Sequence, residues 1–214
     1  MLRGKEIFKL KPRLAMCASM VGSNVNVLID VGTDHAYLPI YLVKEGMVDS
    51  SIALDRLEGP LLNAKRNIEK YGLQKKIKTI ISNGLKNVTP QKSGTIVMSG
   101  IGAENIVNII KEAKWLKNSE ITLILQPMTK EEIVREFLAN NFFKVLEERI
   151  VIDSGKVYVV FKVRFFGEDQ SYLLKNLDYP FFGHFLKSEK TKDVKLYIEK
   201  QSKRLRKKLN GNVN

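Results

Sequence analysis

The sequence predicts an α/β protein in which a doubly wound sheet ends in an antiparallel hairpin and is followed by a small helical tail. Between residues 25 and 140, short apolar runs without polar alternation are separated by amphipathic stretches. This pattern is typical of a parallel sheet covered on both faces. Two longer strand-like runs then meet at Asp153, Ser154 and Gly155, a typical hairpin turn. After residue 186 the chain is basic with helical spacing of its apolar residues.

The first part of the predicted sheet alternates strands and helices. Apolar runs predict strands at 25–31, 51–55, 77–82, 95–99 and 121–125. Apolar residues at helical spacing predict helices at 37–45, 60–71, 103–114 and 129–140. Pro60 in a first turn and Gly72 just beyond a last turn are typical of the two ends of a helix. This alternation predicts a Rossmann-like sheet with crossover helices.

The chain changes character after residue 141. The runs 142–152 and 156–166 predict the hairpin strands, so we expect the sheet domain to comprise residues 1–166. We expect residues 167–214 to form a second, basic helical domain, with Leu196, Ile198, Leu205 and Leu209 spaced between cations. A segment of about 45 residues is too short for a substantial core of its own. We therefore expect it to pack against the sheet domain or on itself as a helical pair.

The composition excludes several classes of protein. With 44% hydrophobic and 28% charged residues, the chain of 214 residues is neither disordered nor collagen-like. Its apolar runs are far shorter than the roughly 18 residues of a membrane span, and its start lacks the apolar region of a secretory signal. One cysteine and two histidines do not supply a disulfide scaffold or a cysteine- or histidine-rich metal site. We therefore expect a cytoplasmic protein with no membrane or metal partner.

The positive charge is concentrated at the two ends of the chain. The net charge is +13, of which +4 lies in residues 1–16, +7 in residues 187–214 and only +2 between them. Clusters of lysine and arginine are typical of a surface that binds a polyanion, because each cation near a phosphate releases a condensed counterion. Solvated, lysine-rich faces would give the same composition, so charge alone leaves both interpretations open.

The turn after the first predicted strand carries the most informative residues. Asp30, Gly32, Thr33, Asp34 and His35 lie where a doubly wound sheet binds its ligand. Gly32 lets the backbone approach a ligand closely, but the segment lacks the GxGxxG pattern of a dinucleotide site. Two carboxylates repel a pyrophosphate and suit a cationic nucleoside better than NAD. The alternative is that Asp34 merely caps the following helix.

Polar residues follow the next predicted strands as well. Asp55, with Arg56 beside it, ends the second strand, and an acid at this place accepts hydrogen bonds from ribose hydroxyls. Asn83 and Gly84 follow the third strand, where an amide can bind the edge of an adenine. The fourth strand ends at Ser99, Gly100 and Ile101, followed by Gly102. The two glycines leave the backbone open to a flat substrate at this point.

These segments together resemble the bacterial tRNA (adenine-22-N1)-methyltransferase family, TrmK, among the class I S-adenosylmethionine-dependent methyltransferases. The matching segments are 29–39 (IDVGTDHAYLP), 58–60 (EGP), 82–85 (SNGL), 99–102 (SGIG) and 125–127 (LQP), in that order. Arg13 and Leu14 also fit, and the resemblance covers residues 8–165. The chain departs from the family at Asn83, Ala103 and Met128, where an acid, a glycine and an asparagine are usual.

The resemblance implies that the sheet domain binds S-adenosylmethionine and that a coiled-coil-like tail helps to hold tRNA. Cofactor contacts are implied for Asp30, Gly32, Thr33, Asp34, His35, Asp55, Arg56, Asn83, Gly84, Ser99, Gly100 and Ile101. RNA contacts are implied for Arg13, Tyr37, Lys203, Arg204, Arg206, Lys207 and Lys208. Asp34 is the first candidate for assisting catalysis, and the backbone at Ser99 and Gly100 is the second. No metal and no obligate protein partner are implied.

Other interpretations of the same residues stay open. The chain could methylate another RNA site or a small molecule, although the basic tail argues against the latter. The changes at Asn83, Ala103 and Met128 would also fit a non-catalytic RNA-binding protein with a decayed methyltransferase fold. His35 could be purely structural, and Arg13 could hold the cofactor's carboxylate or a phosphate. An NAD-dependent oxidoreductase lacks its glycine pattern here.

Overall fold

The computed structural model describes the backbone of residues 8–211 and the side chains of residues 8–207. Seven strands form one sheet in the order β3-β2-β1-β4-β5-β7-β6. The first five pair in parallel and the last two are antiparallel, which confirms the predicted fold class. The strands are β1 (Val25–Val31), β2 (Val48–Asp55), β3 (Ile77–Ile81), β4 (Gly94–Ile101), β5 (Ile121–Pro127), β6 (Phe143–Asp153) and β7 (Lys156–Phe165).

Helices cover both faces of the sheet. They are α1 (Pro12–Val21), α2 (Tyr37–Lys44), α3 (Glu58–Lys70), α4 (Ala103–Glu112), α5 (Glu131–Asn140), α6 (Tyr179–Phe182) and α7 (Lys192–Gly211), with short 3-10 turns η1 (Lys114–Leu116) and η2 (Ser171–Lys175). The strand β2 begins three residues before its predicted start, and two helix starts also differ from the sequence prediction. The helix α3 begins at Glu58, two residues early, and α5 begins at Glu131 because Lys130 takes a left-handed conformation with φ of 59°.

The two faces of the sheet have separate apolar cores. On β5, Leu123 and Leu125 belong to one core, and Ile124 between them belongs to the other. All three side chains are fully buried, which explains why the strand shows no polar alternation. The helices α4, α5 and α7 contribute to the first core, while α1, α2 and α3 contribute to the second.

The hairpin turn forms where the sequence predicted it. Asp153 and Lys156 pair across a two-residue connection made by Ser154 and Gly155. Both central residues have positive φ, 50° and 74°, as a type I′ turn requires. The hairpin places β7 beside β5 and leaves β6 at the edge of the sheet.

The tail beyond β7 packs against the sheet domain, which is the first of the two arrangements expected. Contacts join α5 to η2 and α6, and α7 to both strands of the hairpin. Tyr197 and Gln201 on α7 are fully buried against these elements. The boundary proposed near residue 166 coincides with the end of β7, but the tail shares its core with the sheet.

A buried arginine joins α5, the hairpin and the tail. Arg135 has no exposed surface, and its Nε donates to Glu148 Oε1 at 2.8 Å. Its Nη1 donates to the carbonyls of Pro180 and Phe181 at 2.8 and 3.1 Å, and its Nη2 donates to the Tyr197 hydroxyl at 2.9 Å. Four segments that are distant in sequence therefore depend on one guanidinium.

Replacing Arg135 by methionine is expected to lower the free energy of unfolding by about 3–5 kcal/mol, because it leaves Glu148 buried without its partner. Chemical unfolding in urea measures this change. The exposed neighbour variant Glu136→Gln serves as control and should match the wild type. Adding Glu148→Gln to Arg135→Met should recover part of the loss. A single Arg135→Met variant within 1 kcal/mol of the wild type, on the scale of surface substitutions, would contradict this account.

Candidate active site

Two cavities open at the carboxyl ends of the central strands. The strand order reverses between β1 and β4, and ligands of open α/β sheets bind at such a reversal. The larger cavity has a volume of about 470 Å³ and the smaller about 260 Å³. Both are lined by Gly32, Ser99 and Gly100, so together they form one bipartite site. Every residue that the sequence predicted for the cofactor lines one part or the other.

The larger cavity lies over the ends of β2, β3 and β4. Asp55, Arg56, Asn83, Gly84 and Ile101 line it. One carboxylate oxygen of Asp55 accepts a hydrogen bond from the Leu57 amide at 3.1 Å, which orients the side chain at the strand end. Gly84 has φ of 64°, and a Cβ there would lie 2.8 Å from Ile109 Cγ1. A side chain at this position would therefore push into the cavity wall.

Sequence reasoning missed one wall of the larger cavity. Asn105, Asn108, Ile109 and Glu112 line it from α4. The polar members are spaced by three and four residues, so they share one face of the helix. The spacing of these polar residues could have predicted the wall, but the sequence analysis used only the apolar residues of the same helix. This wall adds amide and carboxylate groups to a cavity otherwise lined by strand ends.

Asp30 supplies a buried carboxylate to the smaller cavity. The side chain is 5% exposed, and its Oδ2 accepts a hydrogen bond from the Thr33 hydroxyl at 2.7 Å. Burial raises the pKa of Asp30 to about 6, the Thr33 hydrogen bond lowers it, and the nearby charge of Asp55 raises it further. Among the described residues the Asp30 carboxylate forms no ion pair, so a positively charged ligand beside it would favour its ionised form.

Asp34, His35 and Tyr37 form the outer rim of the smaller cavity. Asp34 has φ of 52°, and its carboxylate lies 3.6 Å from His35 Nε2. Its side chain does not cap α2, which begins after a left-handed Ala36 without a side-chain cap. The Tyr37 ring stacks on His35 with centroids 5.2 Å apart and is 41% exposed. The rim thus presents a carboxylate and an aromatic face to solvent.

Arg13 lines the smaller cavity from α1 and is held on three sides. Its Nε donates to Asp153 at 3.3 Å, and its Nη1 donates to Gln126 Oε1 at 2.8 Å and to Met128 Sδ at 3.2 Å. The guanidinium lies 5.3 Å from the centre of the Tyr158 ring. These contacts fix a positive charge beside the cavity. The sequence analysis named Arg13 as a candidate site residue, whereas Gln126 appeared only within the matching segment 125–127 and received no role.

The predicted RNA-binding cations of the tail differ in their surroundings. Lys203 pairs with Glu199 on its own helix at 2.6 Å, and Arg206 and Lys207 are exposed. Arg204 instead donates to Glu131 at 2.8 Å and to Glu132 at 2.7 Å on α5, so it anchors the tail rather than facing solvent freely. The side chain of Lys208 lies outside the described residues. The described tail cations line neither cavity.

Two further expectations concern membranes and metals. Within the described part of the chain, no helix is long and apolar enough to cross a bilayer. The same residues contain no group of three or more histidine, cysteine or acidic side chains that could hold a metal ion.

Comparison with known proteins identifies the family. A family model described as a methyltransferase domain matches residues 10–161. The tRNA (adenine(22)-N(1))-methyltransferase of Bacillus subtilis is 33% identical over 164 residues, which is 77% of this chain and 68% of the relative. This chain belongs to the tRNA (adenine(22)-N(1))-methyltransferase family. This confirms the family that the sequence resembled, and the family model covers residues 10–161 of the predicted range 8–165.

Solved structures of family members agree with this assignment. A Streptococcus pneumoniae protein provisionally assigned as a tRNA (m1A22) methyltransferase has a TM-score of 0.82 and 32% identity, covering 94% of this chain and 89% of that one. The same protein in complex with S-adenosyl-L-methionine has a TM-score of 0.77, covering 91% and 87% of the two chains. The TrmK structure of B. subtilis has a TM-score of 0.74 at 25% identity, covering 94% and 97%.

Replacing Asp30 by asparagine is expected to stabilise the ligand-free protein. Because the pKa of Asp30 is raised from 3.8 to about 6 in the folded state, its ionisation opposes folding at any pH above about 6. The gain at pH 8 should be on the order of 1–3 kcal/mol and should disappear as the pH falls from 6 towards 4.

Urea unfolding between pH 4 and pH 8 measures this difference, with the exposed Asp49→Asn as control. If the difference in free energy of unfolding between Asp30→Asn and the wild type does not change with pH across this range, ionisation of Asp30 does not destabilise the folded protein.

Proposed function

We propose that this protein transfers a methyl group from S-adenosylmethionine to N1 of the adenine at position 22 of tRNA. The observation that carries the proposal is the bipartite site at the β1–β4 reversal, with Asp30 and Asp55 on its two sides. A member of this family with these carboxylates in place retains the means to bind the methyl donor.

The donor groups of the site fit S-adenosylmethionine. Asp55 would accept hydrogen bonds from the ribose hydroxyls, and Asn83 would meet the adenine edge in the larger cavity. Gly32, with φ of 75° and no side chain, leaves space where the two cavities join. Asp30, aided by Thr33, would balance the positive charge of the ligand. When bound, the cofactor supplies an electrophilic methyl group on a sulfonium.

The acceptor base needs alignment more than activation. Neutral adenine N1 carries an available lone pair, so no strong base is required, and alignment accounts for most of the catalysis. Since N1 lies on the Watson–Crick edge, the base must be unpaired or flipped out of its helix to enter the site. Asp34 and the backbone at Ser99 and Gly100 would accept hydrogen bonds from the exocyclic amine, whose charge grows as the product forms. Tyr37 offers a ring for stacking.

The tail is proposed as the tRNA-contacting part, residues 167–214. Its exposed cations Lys203, Arg206 and Lys207 would contact phosphates without reading the sequence, whereas Arg204 holds α7 to α5. A cytoplasmic location follows from the proposed substrate. A decayed, non-catalytic RNA-binding protein is disfavoured, since such a protein would have no need to keep a buried, uncompensated Asp30.

The decisive test incubates the protein with radiolabelled S-adenosylmethionine and tRNA transcripts that carry A22 or G22. Label is expected as 1-methyladenosine in the A22 transcript alone. Asp55→Ala should abolish measurable cofactor binding in calorimetry, while the exposed Glu58→Gln should bind as the wild type does. Label in both transcripts would mean that the methylated adenine is not A22. Wild-type cofactor affinity of Asp55→Ala would mean that Asp55 does not bind the cofactor.

The role of the tail predicts a separate effect on tRNA. Changing Lys203, Arg206 and Lys207 together to glutamine should weaken tRNA binding and reduce its salt dependence by about one unit of slope for each phosphate that is no longer neutralised. Filter binding over a range of salt concentrations measures both quantities. The affinity for S-adenosylmethionine should stay unchanged because these side chains line neither cavity.

A matched control removes the same charge elsewhere. Lys75, Lys76 and Lys78 are exposed near the far edge of the sheet, and their triple glutamine variant should bind tRNA nearly as the wild type does. Equal losses in the two triple variants would mean that net charge, and not the tail, determines tRNA binding.

A further inference from the structure

A bulge interrupts the sheet at the point where the two cavities meet. The pairing of β4 with β5 slips by one residue between Ser99 and Ile101, so Gly100 is the extra residue and takes φ of 77°. The partner strand continues into Pro127, which has no N–H to donate to the ladder. Both features remove regular backbone pairing from the segment that lines the site. Some other group must therefore hold this backbone in place.

The side chain of Gln126 is that group. It is fully buried, and its Oε1 accepts three hydrogen bonds, from the Gly100 amide at 3.0 Å, from the Ser99 hydroxyl at 3.1 Å and from Arg13 Nη1 at 2.8 Å. Its Nε2 donates to the Pro127 carbonyl at 2.8 Å. One amide thus supplies the acceptor that the bulged Gly100 lacks and also restrains the cation beside the smaller cavity.

The direction of a neighbouring carbonyl follows from this contact. The chain has no cis peptide among the described residues, and in a trans peptide the C=O points opposite to the N–H. Because Gly100 N–H points to Gln126, the Ser99 carbonyl points away from Gln126. Gln126 therefore sets the orientation of the peptide group that links Ser99 and Gly100, two of the three residues that line both cavities.

We propose that Gln126 is a positioning residue for the methyl acceptor. This proposal rests on the function proposed above. Gln126 holds the Ser99–Gly100 peptide and the Arg13 guanidinium in the positions where the target adenine would bind. Gln126 lines neither cavity itself, so it acts through these neighbours. Gln126 forms no hydrogen bond with Asp55 or Asn83, so we expect it to affect methyl transfer to the base more than the binding of the cofactor's ribose and adenine.

Two substitutions separate the acceptor role of the amide from its bulk. Gln126→Met keeps the size of the side chain and removes all three acceptor contacts. Gln126→Glu keeps an oxygen for the same three donors. It replaces the donation to Pro127 by a second oxygen facing that carbonyl, and it adds a negative charge beside Arg13. The positioning role predicts a large defect for the methionine variant and a smaller one for the glutamate variant.

Single-turnover methyl transfer to the A22 transcript is the principal readout, alongside calorimetric binding of S-adenosylmethionine. Gln126→Met should lower the transfer rate by about 100-fold, the scale of removing one polar group from an active site, and should change cofactor affinity less than about 3-fold. Gln126→Glu should regain at least about 10-fold of the rate, as expected when the acceptor contacts are restored. Thr122→Val, a buried polar change elsewhere on β5, controls for reduced stability and should transfer at the wild-type rate.

The possible failures are distinguishable. A wild type that binds the cofactor but labels no adenine overturns the proposed function, and the role of Gln126 falls with it. An active wild type with Gln126→Met at the same rate overturns the role of Gln126 alone. Equal loss of rate and cofactor affinity in that variant, or no recovery by Gln126→Glu, does the same. If Gln126→Met does not fold, Gln126→Glu decides, since a loss above about 100-fold contradicts the retained contacts.

Discussion

The reversal of strand order between β1 and β4 is the constraint on which the site depends. Crossover helices leave the sheet in opposite directions on the two sides of this point, so the strand ends stay uncovered. Gly32 follows β1 and Gly100 lies at the end of β4, and both have positive φ, 75° and 77°. Glycine adopts this conformation without strain. The chain therefore opens a crevice where the topology leaves one, and both cavities share these two residues.

Buried ion pairs hold the tail to this sheet and divide its cations into two groups. Burial alone would raise the pKa of Glu131, yet Lys200 and Arg204 keep it below its usual range. Glu131 is 1% exposed and opens α5, directly after the loop that follows β5. The internal cations of α7 thus position the helix, which leaves Arg206 and Lys207 on its exposed side. The basic excess of the tail serves two purposes that its composition alone cannot separate.

The sequence predicted most of this structure where the signal was local. Apolar runs predicted the five parallel strands, and the turn at Ser154 and Gly155 predicted the hairpin, because each depends on neighbouring residues. The roles of Gln126, Arg135 and Arg204 could not be predicted in this way. Each depends on partners between 13 and 113 residues away, and no periodicity records such a distance. The α4 wall was missed for a different reason, since the sequence analysis used only the apolar spacing of this helix to predict it and drew no prediction from its polar face.

The site uses two kinds of polar group for opposite physical reasons. Gln126 is neutral and has both ends of its amide paired within the protein, so it can hold the backbone equally well before and after a ligand arrives. Asp30 is charged and buried, and its single hydrogen-bond partner among the described residues is a hydroxyl. Burial raises its pKa, so a cation would stabilise its ionised form. A group that positions others must be satisfied by the protein, because an unsatisfied buried group would move or bind water. A group that recognises a cation must be left incomplete by the protein, because only then does the ligand restore what burial removed. The site therefore needs both groups: Asp30, which destabilises the ligand-free protein, to bind a cation, and Gln126 to hold the backbone of the crevice in place.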